Sequence, residues 1–131
     1  MGEFARAVRG HIDQQFISAA KNMGERLRVK DNASTSQIRR IFTVLKTIEM
    51  RQSSSLDLSE LLLLKPRLSY ASAKDRSLDA LRIEVSEAID VVAEQGIPEG
   101  ERSERFRRLC QAFEAVLAYY SAKGDSHRSG H

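Results

Sequence analysis

The stretch SLDALRIEVSEAIDVVAEQ, residues 77–95, decides the fold class. Leu78, Leu81, Val85, Ala88, Ile89 and Val92 recur at steps of three and four, which gathers them on one arc of a helix, with Glu87, Asp90 and Glu94 opposite. The spacing therefore predicts an amphipathic helix, which Gly96, Ile97 and Pro98 bring to an end. Ile83 and Val91 fall off the apolar arc and are expected at the surface.

The same periodicity extends in both directions. Towards the carboxyl end, Phe106, Leu109, Cys110, Phe113, Val116, Leu117 and Tyr120 share an arc over about residues 101–123, and the polar residues 124–131 read as a disordered tail. Towards the amino end, Leu58 to Leu64 places leucines around more than half of a helix, which predicts a buried element. Pro66 then disfavours helix at Lys65, so this element either stops near Leu64 or kinks and resumes through Leu68 to Ala73. Ser34, Thr35 and Ser36 ahead of Gln37 give a helix start, and Ser34 with Gln37 fits a capping box. Beyond it, Ile38, Ile41, Phe42, Leu45 and Ile48 form one face, and Arg39, Arg40, Thr43, Lys46, Thr47 and Arg51 the other. Phe4, Val8, Ile12, Phe16, Ala20 and Met23 make a first helix from Phe4 to about Leu27, secure from Ile12 onward because Gly10 and Gly24 lower its propensity. Residues 28–33 and 51–55 read as loops. The expectation is an all-α fold: a single-domain bundle of about five helices over residues 1–123.

Composition narrows the chemistry. With 131 residues, 41% of them hydrophobic, the chain suffices for one core. Its longest all-apolar run, Leu61 to Leu64, is far short of a membrane span, and no secretory leader is evident, so a soluble cytoplasmic protein is expected. One cysteine, Cys110, excludes an internal disulfide, and His11, His127 and His131 lie too far apart for zinc-ligand spacing; neither metal nor cofactor is expected. Cys110 lies on an apolar arc with no histidine in helical reach and reads as a core thiol. Glu84, Glu87, Asp90 and Glu94 resemble one half of a magnesium cage, but no second acidic pair completes it, and a solvated face is the better reading. No phosphate-binding glycine loop and no Ser-His-Asp set is present, so no catalytic residue is assigned and an enzyme is not expected.

Charge is where the sequence speaks of partners. The net charge is only +3, yet residues 37–82 hold nine Lys or Arg against five Asp or Glu, whereas residues 83–101 hold six acids and no base. The bases are Arg39, Arg40, Lys46 and Arg51 on one helix, with Lys65, Arg67, Lys74 and Arg76 around Pro66. Bases without matching acids bind a nucleic-acid backbone through counterion release, and the same spacing fits an ordinary charged surface equally well.

Three strings, in order, add a resemblance. They are STSQIRRIF at residues 34–42, LLLLKPRLSYASA at residues 61–73 and FEAVLAYY at residues 113–120. Together they resemble the small subunit of the type III-A CRISPR effector (Csm) complex, whose pattern runs from a Thr-Ser-Gln-Ile-Arg helix start, through Leu-Lys-Pro-x-Leu-x-Tyr-Ala, to a last helix bearing Glu-Ala and Ala-Tyr. The resemblance covers about Ala20 to Lys123. A departure lies at Ser72 and Ala73, where the family's small residues precede a base that is here displaced to Lys74 and Arg76.

The resemblance implies a five-helix, non-catalytic subunit repeated in a filament beside the one that holds the guide RNA, with the target RNA between them and cleavage left to other subunits. Its partners would be guide RNA, target RNA, other subunits of the effector and further copies of itself. In RNA-guided effectors base pairing reads sequence and protein holds the backbone, which suits a basic face. On this reading Arg39, Arg40, Lys46, Lys65, Arg67 and Arg76 are the RNA-binding residues. Two rivals stand beside it: a free-standing helix-turn-helix regulator, and a metal-dependent bundle hydrolase using Glu84, Glu87 and Asp90 on nucleotides.

Overall fold

Helices account for the regular structure throughout residues 2–30, 34–51 and 56–129, which the computed structural model describes. Among these residues there are six α-helices and no strand: α1 (Glu3–Arg9), α2 (Gln14–Glu25), α3 (Thr35–Arg51), α4 (Leu58–Lys74), α5 (Asp79–Val92) and α6 (Glu99–Ser129). A π-helical turn, Arg26–Lys30, follows α2, and a 3-10 turn, Arg76–Leu78, leads into α5.

The expected first helix is two. The chain leaves helical geometry at Gly10, and Asp13 restarts it by accepting the Phe16 amide at 2.9 Å as the cap of α2. The break lets α1 fold against α5 and α6 while α2 runs along α6. Phe4 and Val8 are consequently core residues, with the Phe4 and Phe16 rings edge to face at 5.5 Å. Residues 28–30, read as loop, belong to the π-helical turn, and residues 31–33 lie outside the described residues, as do residues 52–55 of the second expected loop. The third start is as the hydroxyls predict, with the Ser34 Oγ accepting the Gln37 amide at 3.3 Å. The other arm of the capping box is supplied from afar, because the Ser34 amide donates to Asp75, which caps the 3-10 turn before α5.

Pro66 does not end its helix. Of the two readings the resumed one is correct: α4 runs through the proline to Lys74. It is less buried than its leucines suggest, since among the described residues α3, α5 and the 3-10 turn flank it, so Leu61, Leu64 and Leu68 are covered while Leu62 and Leu63 face outward. The whole predicted arc is buried, with Leu78 in the 3-10 turn and the rest in α5, and Ile83 is exposed, but Val91 is buried. The docking of α1 against α5 covers a flank that a single-helix projection leaves open.

Helix α6 is the central post, packed by α1, α2, α3 and α5, with Phe106, Leu109, Phe113 and Val116 wholly inside. The Phe113 ring stacks on that of Phe42 at 5.9 Å. At Gly24 α2 comes so close that a Cβ there would lie 2.8 Å from the Val116 carbonyl oxygen, so this glycine serves close approach. At the amino-terminal end of the post, three arginines one turn apart satisfy carbonyls at the ends of other helices. Arg102 donates to Val92 at 2.7 Å, Arg105 to Val91 at 2.9 Å and Arg108 to Val8 at 2.8 Å. Helix α6 continues to Ser129, six residues beyond the Lys123 at which the sequence reading ends the domain, and residues 130 and 131 of the expected tail lie outside the described residues. No described helix is long and apolar enough to cross a membrane.

Candidate nucleic-acid interface

Helices α3 and α4 each offer a stripe to a shared surface groove. Gln37, Arg40, Ile41 and Val44 fall at steps of three, one and three on α3; Leu64, Arg67, Leu68, Ala71 and Lys74 do so on α4. Between them lies a groove of about 450 Å³. Its floor is Ile41, Leu64 and Leu68, all buried, with the half-buried Val44 and Ala71. Its rim is Arg40, Arg67, Tyr70 and Lys74, all exposed, and among the described residues no acidic one lines it. A second hollow of about 310 Å³, bounded by Thr43, Thr47, Arg51, Glu60 and Leu63, continues from it through the shared Val44 and Arg67.

The six bases expected from the sequence do not form one face. Arg40 and Arg67 meet at the groove, and neither has an ion-pair partner among the described residues. Arg39 turns to α6, its guanidinium 3.5 Å from the Ser121 hydroxyl. Lys46 is held by Glu49 at 2.7 Å, whose hydrogen bond raises the ammonium above its ordinary titration range, and it lies 5.9 Å from the centre of the Phe42 ring. Lys65 crosses to α5 and pairs with Asp90 at 2.5 Å. Arg76 is exposed in a different hollow, between α4 and the start of α5, beside Ser72, Asp79 and Arg82.

Two rim residues were not among the six. Lys74 belongs to the basic set but is left out of them, and Tyr70 carries no charge to draw attention. Their signal is spacing: Arg67, Tyr70, Ala71 and Lys74 lie at i, i+3, i+4 and i+7, and the Lys74 ammonium sits 4.9 Å from the Tyr70 ring centre. That spacing carries meaning only once the helix is known to pass through Pro66.

The acidic stretch has a different fate. Glu87 accepts the Gly2 amide at 2.8 Å and Glu84 the Phe4 amide at 3.1 Å, so two carboxylates of α5 hold the amino-terminal end of α1. Glu94 takes Arg9 at 2.5 Å and Arg105 at 3.0 Å, and these guanidinium hydrogen bonds, Arg9 first, lower its carboxyl from an ordinary 4.5 to about 2. The stretch is therefore more than a solvated face, because it fastens α1 and α6 to α5. Among the described residues no three of His, Cys, Asp and Glu group closely enough to hold a metal ion. The Cys110 thiol is buried in the hydrophobic core, and burial first, with the nearby charge of Glu49 adding to it, pushes it up to about 12.

A sequence model described as Csm2 Type III-A matches residues 12–126, which takes in every element of the groove and leaves α1 outside. No curated protein and no solved structure matches the chain. The matched span contains the three strings at residues 34–42, 61–73 and 113–120, now placed at the start of α3, along α4 and inside α6. With an all-helical single-domain fold and a match over most of its length, the chain belongs to the Csm2 type III-A family, the small subunits of type III-A CRISPR effector complexes.

Proposed function

We propose that this subunit lines the RNA channel of the effector, holding guide and target RNA by their backbones and performing no chemistry of its own. The observation that carries this reading is the α3–α4 groove, where Arg40, Arg67 and Lys74 stand on one rim with no carboxylate lining it among the described residues. Other exposed cations are matched, among them Arg51 with Glu60, Arg82 with Asp79 and Arg107 with Glu104. A cation without an internal partner keeps its field for a ligand, and polyphosphate backbones bind by releasing counterions from such fields without regard to sequence.

Within the expected set, Arg40 and Arg67 make the principal phosphate contacts. Arg39 and Arg76 extend the surface, and Lys46 and Lys65 contribute less, because Glu49 and Asp90 already neutralise part of their charge. Copies of the chain stack in a filament along the RNA, and cleavage resides in other subunits of the complex. The absence of chemistry is supported by the occupation of the carboxylates: those of the hydrolase reading, Glu84 and Glu87, accept α1 amides, and Asp90 pairs with Lys65.

The test is salt-dependent binding of the full chain to single-stranded RNA. Because each lost phosphate contact lowers the salt slope by roughly 0.7 on a single strand, Arg40→Ala/Arg67→Ala is expected to flatten it by about 1.4, and Lys46→Ala/Lys65→Ala by less. Sequence-selective binding to duplex DNA in place of RNA would overturn the proposal in favour of a regulator.

A further inference from the structure

Phosphate binding does not require an apolar floor, yet the groove between α3 and α4 has one. Beneath Arg40 and Arg67 lie Ile41, Val44 and Leu68, and at the side stands Tyr70, which is 65% exposed although it is one of the larger apolar side chains of the protein. The ring is flanked along α4 by Arg67 one turn before it and by Lys74 one turn after, with the Lys74 ammonium 4.9 Å from the ring centre. A volume of about 450 Å³ falls in the range of clefts that take small flat ligands, roughly 300–1,000 Å³.

An apolar floor, an aromatic wall and a cationic rim without acids are complementary to a nucleotide, whose base faces gain by leaving water and whose phosphates need cations. Stacking on an exposed ring is indifferent to which base is present, because every base has a π-face. We propose that the groove seats one unstacked base of a single-stranded RNA against Tyr70 and the apolar floor, while Arg40, Arg67 and Lys74 hold the phosphates beside it. The proposal rests on the reading of this surface as an RNA contact and adds to it a site for the base.

The full chain is titrated with two strands of equal length and charge: an oligoribonucleotide carrying 2-aminopurine, and its abasic counterpart. Since stacking of one base changes affinity by roughly five- to a hundred-fold, the base-bearing strand is expected to bind at least about five-fold more tightly, with its 2-aminopurine emission quenched. Tyr70→Ala should lose that advantage and the quenching while leaving the salt slope unchanged, and Tyr70→Phe should keep both, because stacking uses the ring and not the hydroxyl. Equal binding of the two strands, together with indifference to Tyr70→Ala at an undiminished salt slope, overturns the base seat alone; the phosphate reading then stands and the groove falls to an acidic segment of a protein neighbour. Loss of salt-dependent binding with both strands overturns the two readings together.

Discussion

The α1–α5–α6 side of the molecule and the groove between α3 and α4 both carry several charges, but they differ in how those charges are partnered. On the first, carboxylates and guanidinium groups close on one another or on helix ends: Glu84 and Glu87 hold α1 amides, Glu94 joins Arg9 to Arg105, and Arg102, Arg105 and Arg108 satisfy carbonyls of α5 and α1. At the second, Lys46 and Arg51 nearby are held by Glu49 and Glu60, but Arg40 and Arg67 stand over an apolar floor with no ion-pair partner among the described residues. Charge on the first is therefore part of the fold, whereas at the groove two guanidinium groups stand outside the ion pairs that hold the fold together. Net charge conceals the contrast, since +3 does not tell the bases held in ion pairs from Arg40 and Arg67, which have no ion-pair partner among the described residues.

The largest effect that breaks this contrast is expected at Arg105, whose side chain is only 9% exposed and reaches Val91 O, Glu94 and Glu101. Arg105→Met keeps the apolar stem and removes the guanidinium, so the Val91 carbonyl keeps only the longer bond from the Glu94 amide at 3.4 Å among the described residues, and Glu94 and Glu101 each lose a cation; a loss of roughly 1–3 kcal/mol in urea unfolding is expected. An unchanged midpoint would mean that the arginine ladder of α6 is ornamental to stability. Glu84→Gln/Glu87→Gln comes next, at roughly 0.3–1 kcal/mol per carboxylate, because the amides at the start of α1 keep a neutral acceptor but lose the charge. Its measure is hydrogen exchange in α1, which should quicken ahead of exchange in α6.

Acid titration sharpens the same side. The Glu94 carboxyl is lowered in the folded protein from an ordinary 4.5 to about 2, so the folded state binds its proton less readily than the unfolded chain. The stability that Glu94 contributes is thus fully present above about pH 4.5 and is lost as pH falls towards 2. Asp13, lowered to about 2 first by Arg6 and then by the Phe16 amide, acts in the same direction. Thermal melts between pH 5 and 2 should show a steeper decline in wild type than in Glu94→Gln. Parallel declines would remove Glu94 from the account.

How much of this was legible follows from what a helical projection contains. The arcs of α5 and α6 were legible because a core face repeats every three or four residues, and the α3 start because a hydroxyl cap is local. Docking is neither periodic nor local. Val91 lies off its helix's arc and is buried only because Gly10 and Asp13 turn α1 back onto α5. Glu84 and Glu87 look like a solvated face until an amide some 80 residues away is placed against them. For the groove, the basic residues were legible as charges, but their grouping was not, since Lys65 and Arg67 are two residues apart and point to different neighbours, Asp90 and the groove. Pro66 hid the rest: with the helix in doubt there, the stripe Arg67, Tyr70, Ala71 and Lys74 had no geometry to stand on.

The smallest expected effect on stability is at the other pole of the contrast. Arg40 and Arg67 are exposed and without ion-pair partners among the described residues, so Arg40→Ala/Arg67→Ala removes no internal interaction and should shift the unfolding free energy by no more than about 0.5 kcal/mol in either direction. Relief of repulsion between the two cations makes a slight gain as consistent as a slight loss, and it should fade as salt is added. The double variant thereby separates the two uses of charge: melting near wild type with a flattened RNA salt slope places these arginines in the ligand's account, whereas a loss approaching that of Arg105→Met would place them in the fold's. In the second case the α3–α4 rim would be one more self-neutralised surface, and the groove would have to be explained by its apolar floor alone.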